Sequence, residues 1–417
     1  MKLSERLSKA VQVIFNRDID SRTPKGFSYL FGGFPTSSGK QVSQRSSIGL
    51  TAIYHAVDLI SGDYGSLPHK VYNYTSNGKD LIQDHNAYRL LNIEPNYYQT
   101  PLEYHRMMAV YRLMYGNAYA LIDRFEGSSQ IRNLIPVHPE RVIEITEYQN
   151  ELFYEIKGID GLVSQYNMIH VRDLSLDTNY KGKARIDACA EAVGSGLALQ
   201  DYTASFFGNG ANVGMVLESE QGALEDEDQR NAIKNSLQEY QGSENSHKPL
   251  VLPWGIRISH GPTKFNQQQT QFIETKIHFV EEVAQIFNLP LHKMRIDSDG
   301  NSYNSVEQAN IEYLTDCLSP FSKAFEQEYN RKIFPSIERG EFFVKVDMDD
   351  KQMADLNTKA DYVIKLVQNG IYSTNDALRE LNKNTIGEEG DYRYIQSNQM
   401  KLGSDPIENK QDGKEDN

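Results

Sequence analysis

The best candidate for acid chemistry in the 417-residue chain is Asp347, Asp349 and Asp350, just past the strand-like run Phe342–Val346. Carboxylates alternating at a strand end can hold a divalent metal for phosphodiester hydrolysis. Without a partner acidic motif or a lysine, the same residues simply introduce the next helix and complement its macrodipole. Gly39-Lys40 fails as a phosphate loop, because Phe34 stands where the first glycine should be and Gln41 where the Ser or Thr should be. Gly194-Ser195-Gly196 lacks the spacer of a nucleophile elbow and lies in a helical pattern. The ten histidines form no pair at three- or four-residue spacing, and Cys189 and Cys317 are too few and too distant for a thiolate site. The two cysteines suit reduced core residues of a cytosolic protein. No cofactor or resident metal is implied. What remains is the segment from His292 to Asn301, where Lys293 and Arg295 could touch phosphates transiently or stand as solvated charges on a connector.

The elements that must position these residues are legible from composition and periodicity. An apolar share of 39% with 24% charged residues suits a globular chain of two or three domains. The net charge of −14 argues against a protein that grips the phosphate backbone. It suits a wall along which a duplex slides, and serves solubility equally. No long apolar run occurs, and Lys2, Glu5, Arg6 and Lys9 interrupt the first segment, so neither a membrane span nor an export signal is expected.

Leu3, Leu7, Val11 and Ile14 recur at helical spacing before Ser, Gly and Pro take over, which predicts a flexible arm over 1–47. Residues 48–185 read as an α+β domain. Thr100-Pro101-Leu102-Glu103 starts a helix with a capping box, Gly116-Asn117 stops it, and β-branched and aromatic runs between Gly and Asn turns form a meander. From Ile186 to Phe207 a continuous helix is predicted, rich in Ala188, Ala190, Gly194, Gly196 and Ala198, residues small enough for another backbone to approach closely. A compact strand and helix unit follows. A second helix, about 266–287, carries Ile273, Ile277, Val280, Val283, Ala284 and Phe287 on one face. A third begins with Asn304 as cap and should kink at Pro320. A helical pair and a polar tail from 396 complete the chain.

Five stretches carry a resemblance: Gly116-Asn117-Ala118-Tyr119, the run Phe206 to Ala211, the helix end Val283 to Pro290, Leu318-Ser319-Pro320-Phe321, and Gly370 to Arg379. In this order they resemble the portal proteins of tailed double-stranded-DNA phages, the family common in long-tailed phages. The resemblance implies a wing (48–185), a first stem helix (186–211), a clip (212–263), a second stem helix (264–288), a tunnel loop (289–303), a long kinked helix returning to the wing (304–350), a crown (351–395) and a disordered tail (396–417). It implies a non-enzymatic ring of about twelve copies at one capsid vertex. Double-stranded DNA would pass through it, and terminase, a head-tail adaptor and the major capsid and scaffolding proteins would dock on it. It would be assembled in the bacterial cytoplasm and carried in the virion. His292, Lys293, Arg295 and Asn301 would belong to the tunnel loop, and the small residues of the first stem helix would pack against neighbouring subunits. The chain departs from the family at Leu291-His292-Lys293, where members often carry a second proline and a glycine. The alternatives are a metal-dependent nuclease built on Asp347, or a head-tail assembly factor with no DNA channel.

Overall fold

The computed structural model describes residues 34–76, 78–176, 180–208, 216–219, 227, 231, 256–259, 265–295, 303–348, 351, 356–381 and 383–394. They fall into two units, 1–347 and 348–417.

The first unit begins with a hairpin, β1 (Phe34–Pro35) and β2 (Gln41–Val42), and a single turn, α1 (Gln44–Ser47), closed by a Ser43–Ser46 capping box. Helix α2 (Thr51–Gly65) leads into β3 (His69–Thr75) and β4 (Gly78–Leu81). A short α3 (Asn86–Asn92) precedes α4 (Pro101–Tyr115), which starts at the Thr100–Glu103 capping box expected from its sequence. The meander follows as β5 (Asn117–Arg124), β6 (Ile131–Val137), β7 (Val142–Tyr148), β8 (Glu151–Ile156), β9 (Leu162–Ser164) and β10 (Met168–Arg172). It pairs antiparallel as two three-stranded sheets, β10-β5-β6 and β7-β8-β9, around Tyr119, Val137, Val142, Ile145, Tyr154, Ile156 and Met168. The α+β class is as expected.

The small-residue stretch is two helices. One turn, α5 (Arg185–Ala188), ends at Cys189, whose backbone (φ −112, ψ 32) leaves the helical region, and α6 (Ala190–Gly208) starts afresh. The turn is pinned from outside by Arg185 on Asp173 and by Gln44 on Asp187, which fixes it apart from the helix that follows. Of the stretch assigned to the clip, the paired strands β11 (Val216–Ser219) and β12 (Ile256–Ser259) are described. Helix α7 (Phe265–Phe287) is followed by a 3-10 turn, Leu291–Met294. The third helix is α8 (Tyr303–Glu312), a π-helical segment Tyr313–Leu318, and α9 (Ser319–Lys332). Tyr303 is already helical, so Asn304 lies in the first turn and not at the cap. Strand β13 (Phe342–Val346) then returns to pair with β3, closing the sheet β13-β3-β4. Tyr64, His69, His105, Phe321, Phe325 and Tyr329 form an aromatic core that ties α2, α4 and α9 together.

Residues 34–47, expected within a flexible arm, are folded. The hairpin lies along one face of α5 and α6: Gln44 Nε2 donates to Asp187 (2.9 Å), the Ser37 N–H donates to the Glu191 carboxylate (3.1 Å), and Lys40 pairs with Asp201. On α6 the contacts at 191, 194 and 201 follow helical spacing, so one stripe of short and acidic residues receives the strap.

The second unit pairs α10 (Leu356–Gln368) with α11 (Thr374–Glu380), the latter closed by a Ser373–Asp376 capping box. Buried Asn375 holds the loop beyond it, donating to Gly387 O (2.7 Å) and Asp391 (2.8 Å) and accepting from the Ile386 N–H (3.0 Å).

Candidate functional site

The three long helices and the end of the meander converge on one junction in the first unit. Its first part is the turn between α4 and β5. Gly116 adopts φ +70, and a Cβ there would stand 2.5 Å from the Lys183 carbonyl carbon, so only glycine fits. Asn117 then binds both sides of the Gly182 backbone: its Nδ2 donates to the carbonyl (2.7 Å) and its Oδ1 accepts the N–H (2.7 Å). The same Oδ1 accepts from His170 Nε2 (3.0 Å), while Tyr154 OH contacts His170 Nδ1 (3.2 Å) and Tyr119 stacks on the ring. Burial, then Arg172 and Lys332, drives the His170 pKa down, so the ring is neutral and keeps one donor and one acceptor. Gly116, Asn117 and Tyr119 thus fix the 180–184 segment that delivers the chain to α5.

The second part is ionic. Asp173 lies between Arg185 (2.6 Å), on the first turn of α5, and buried Arg112 (3.7 Å) of α4. Arg185 also reaches the Ile286 carbonyl at the end of α7 (3.4 Å), where a cation complements the helix dipole. Arg112 donates to Phe321 O on α9 (2.8 Å) and covers the Phe321 ring at 4.6 Å. Two arginines and one aspartate therefore bridge α4, α5, α7 and α9. Sequence reasoning missed all three. The signal was Arg112 itself, a charge on the face that buries Tyr104, His105, Met108 and Ala109.

The third part is the π segment of the third helix. A proline at position 320 has no N–H for the carbonyl of Asp316 and its ring crowds that carbonyl. The ladder widens, with the Ser319 N–H bonding Leu314 O in π fashion, and the Asp316 carbonyl is taken by Asn288 Nδ2 at 2.7 Å. Asn288 (φ +55) is the residue that ends α7. The disturbance expected at Pro320 is present, but it sits in the preceding Tyr313–Leu318 segment, and Pro320 itself stands in the first turn of α9.

Past Pro290 the chain is less loop-like than its composition suggests. His292 and Lys293 lie in the 3-10 turn, Met294 is buried, and Arg295 closes the turn at φ +58, exposed. His55 of α2 contacts the Lys293 carbonyl (2.8 Å), and the Lys293 ammonium sits 5.0 Å from the centre of the Tyr313 ring, whose hydroxyl donates to Asp63 (2.8 Å). Desolvation and then Lys293 lower the His292 pKa. Asn301 lies outside the described residues.

Two of the small residues of α6, Gly194 and Gly196, are covered from within the chain. Thr36 of the strap fills the space at Gly194, with its Oγ1 2.5 Å from where a Cβ would be, and the Phe279 ring of α7 covers Gly196. The close approach expected there is thus made by side chains and not by another backbone. Ala188 closes α5, Ala190 opens α6, and Ala198 is half-buried. Asp347 pairs with Lys70, and its N–H bonds Pro68 O (2.9 Å); Asp349 and Asp350 lie outside the described residues. Gly39 turns the hairpin at φ +75. Among the described residues no helix is long and apolar enough to cross a membrane.

Compared with known proteins, residues 51–382 match the family described as phage portal protein. The portal protein of Enterobacteria phage HK97 is 24% identical over 334 residues, 79% of this chain and 78% of that one. The probable portal protein of Streptomyces phage phiC31 is 24% identical over 356 residues, 82% of this chain and 77% of that one. A crystal structure of an HK97 family phage portal protein from Corynebacterium diphtheriae superposes with a TM-score of 0.54 at 16% identity, covering 74% of this chain and 96% of that one. A chain from the neck of a native gene transfer agent particle, computed with C12 symmetry, gives 0.54 at 16% identity, covering 82% and 92%.

Proposed function

Because the chain belongs to the phage portal protein family, a family of structural virion proteins, we propose that about twelve copies close into a ring at one capsid vertex through which double-stranded DNA enters and leaves. The observation that carries this reading is an apolar face that outruns its own partner. On α7, Phe279, Val283, Ala284 and Phe287 are buried within the chain, whereas Ile273 and Ile277, on the same face, are 59% and 42% exposed. Tyr202 of α6 is likewise 59% exposed. A face of this kind is completed by a neighbouring subunit.

In this arrangement 48–185 with β13 is the wing, α6 and α7 are the stem, 212–263 is the clip, and α10 and α11 belong to the crown. The tunnel loop, 289–303, starts with the 3-10 turn and carries His292, Lys293, Arg295 and Asn301 toward the duplex, where the cations touch phosphates without gripping them. Energy for packaging comes from a terminase docked on the ring. A head-tail adaptor, the major capsid protein and scaffolding are the other partners, and assembly takes place in the bacterial cytoplasm. The test is native mass spectrometry with electron-microscopic class averages of purified protein. Cyclic particles with an axial hole are expected, and a strictly monomeric species at micromolar concentration overturns the reading.

A further inference from the structure

A cleft of about 640 Å³ opens between α2, α6, α7 and the 3-10 turn. Leu50, Leu199, Phe279, Val280 and Met294 give it apolar walls, Lys276 and Arg295 are its cations, and among the described residues no acidic side chain lines it. A second surface of opposite character lies on the third helix. The π segment turns Tyr313, Leu314, Cys317 and Leu318 inward together, which leaves Ile311, Glu312, Thr315 and Asp316 exposed along one face. Ile311 is 42% exposed there, and from 303 to 322 the chain holds three acids (Glu307, Glu312, Asp316) and no lysine or arginine.

Resting on the ring reading, the two surfaces have a use. Every contact in a cyclic ring is heterologous, so a concave patch on one copy meets a different patch on the next. We propose that the cationic cleft of each subunit receives the acidic, Ile311-bearing face of the neighbouring copy. Ile311 enters between Leu199, Phe279 and Met294, and Glu312 and Asp316 face Lys276. Apolarity and charge sign match, and the contact sets the π segment of each subunit's third helix against the next subunit's stem.

Charge reversal on exposed positions tests the pairing without touching either core. One variant, Gln200→Glu with Lys276→Glu, makes the cleft acidic; the other, Glu312→Lys with Asp316→Lys, makes the face basic. Each alone places like charges at every contact, so its ring fraction in native mass spectrometry falls at least tenfold, while the circular dichroism spectrum stays that of wild type. Mixed in equal amounts, the variants present an acidic cleft to a basic face and a native cleft to a native face in alternation. Rings of one-to-one composition then return. The proposal is overturned if wild type forms rings and both variants also do, or if the mixture restores none. A wild-type protein that never forms rings refutes the ring reading instead.

Discussion

His105 stacks on His69 with ring centroids 3.8 Å apart, deep in the aromatic core. Its Nε2 donates to Leu91 O (2.9 Å), and Tyr329 OH contacts its Nδ1 (3.3 Å), so the neutral ring is fully used. Burial draws its pKa down to about 4, against the ordinary 6.5. The unfolded chain therefore takes up the proton first as pH falls. Stability is complete above about pH 6.5, declines between about 6.5 and 4, and is level below, a loss of about 3 kcal/mol from this residue alone. Burial, and then His105, lower the His69 pKa as well, so both rings act in the same direction. The urea midpoint of purified protein is expected to drop steadily from pH 7 to pH 5, and a flat profile refutes the assignment. Neither histidine was visible as a pair in the sequence, because the stacking joins β3 to α4, 36 positions apart, and no local spacing encodes it. The turn at Gly116-Asn117 was legible, since a glycine beyond a helical pattern marks a left-handed cap. That Asn117 goes on to clamp Gly182 was not.

Between elements, the link from Asn288 to Pro320 joins the end of one long helix to the kink of another. The amide of Asn288 stands in for the N–H that proline lacks, taking the Asp316 carbonyl. Asn288→Ala is expected to cost about 1 kcal/mol, the net worth of one hydrogen bond. In a Pro320→Ala background the new backbone N–H can take the same carbonyl, so Asn288→Ala should cost markedly less there. A double-mutant cycle of urea unfolding reads the difference, and equal costs in the two backgrounds refute the coupling. A disturbance of the helical ladder was readable from Pro320 alone, but its location was not. A proline forbids one bond and leaves open which neighbouring turn widens, and here the capture by Asn288 decides it. Helix α6 shows the same limit. Its small residues announced a close approach, yet Thr36 and Phe279 come from distant parts of the chain, and only the fold brings them to Gly194 and Gly196.

For the whole molecule the balance of charge becomes the functional quantity. Each chain carries a formal −14, from 57 acidic and 43 basic residues, and a ring multiplies that figure by its subunit number. Composition gave this property directly, whereas the ring could be reached only through the family motifs and the exposed face of α7, because a monomer's sequence holds no record of its neighbours. Acidic surroundings repel phosphate, and each copy brings only the cations Lys293 and Arg295 to this loop, which touch phosphates transiently. Binding of linear duplex to purified rings should therefore be weak and should release few counterions. The slope of log affinity against log salt is expected at about −2 or shallower, since each neutralised phosphate adds about −0.9. Fluorescence anisotropy of a labelled duplex across a salt series measures it. A slope of about −6 or steeper would mean that the Lys293 and Arg295 cations of many copies hold phosphates at once, and would replace the sliding conduit with a gripping one.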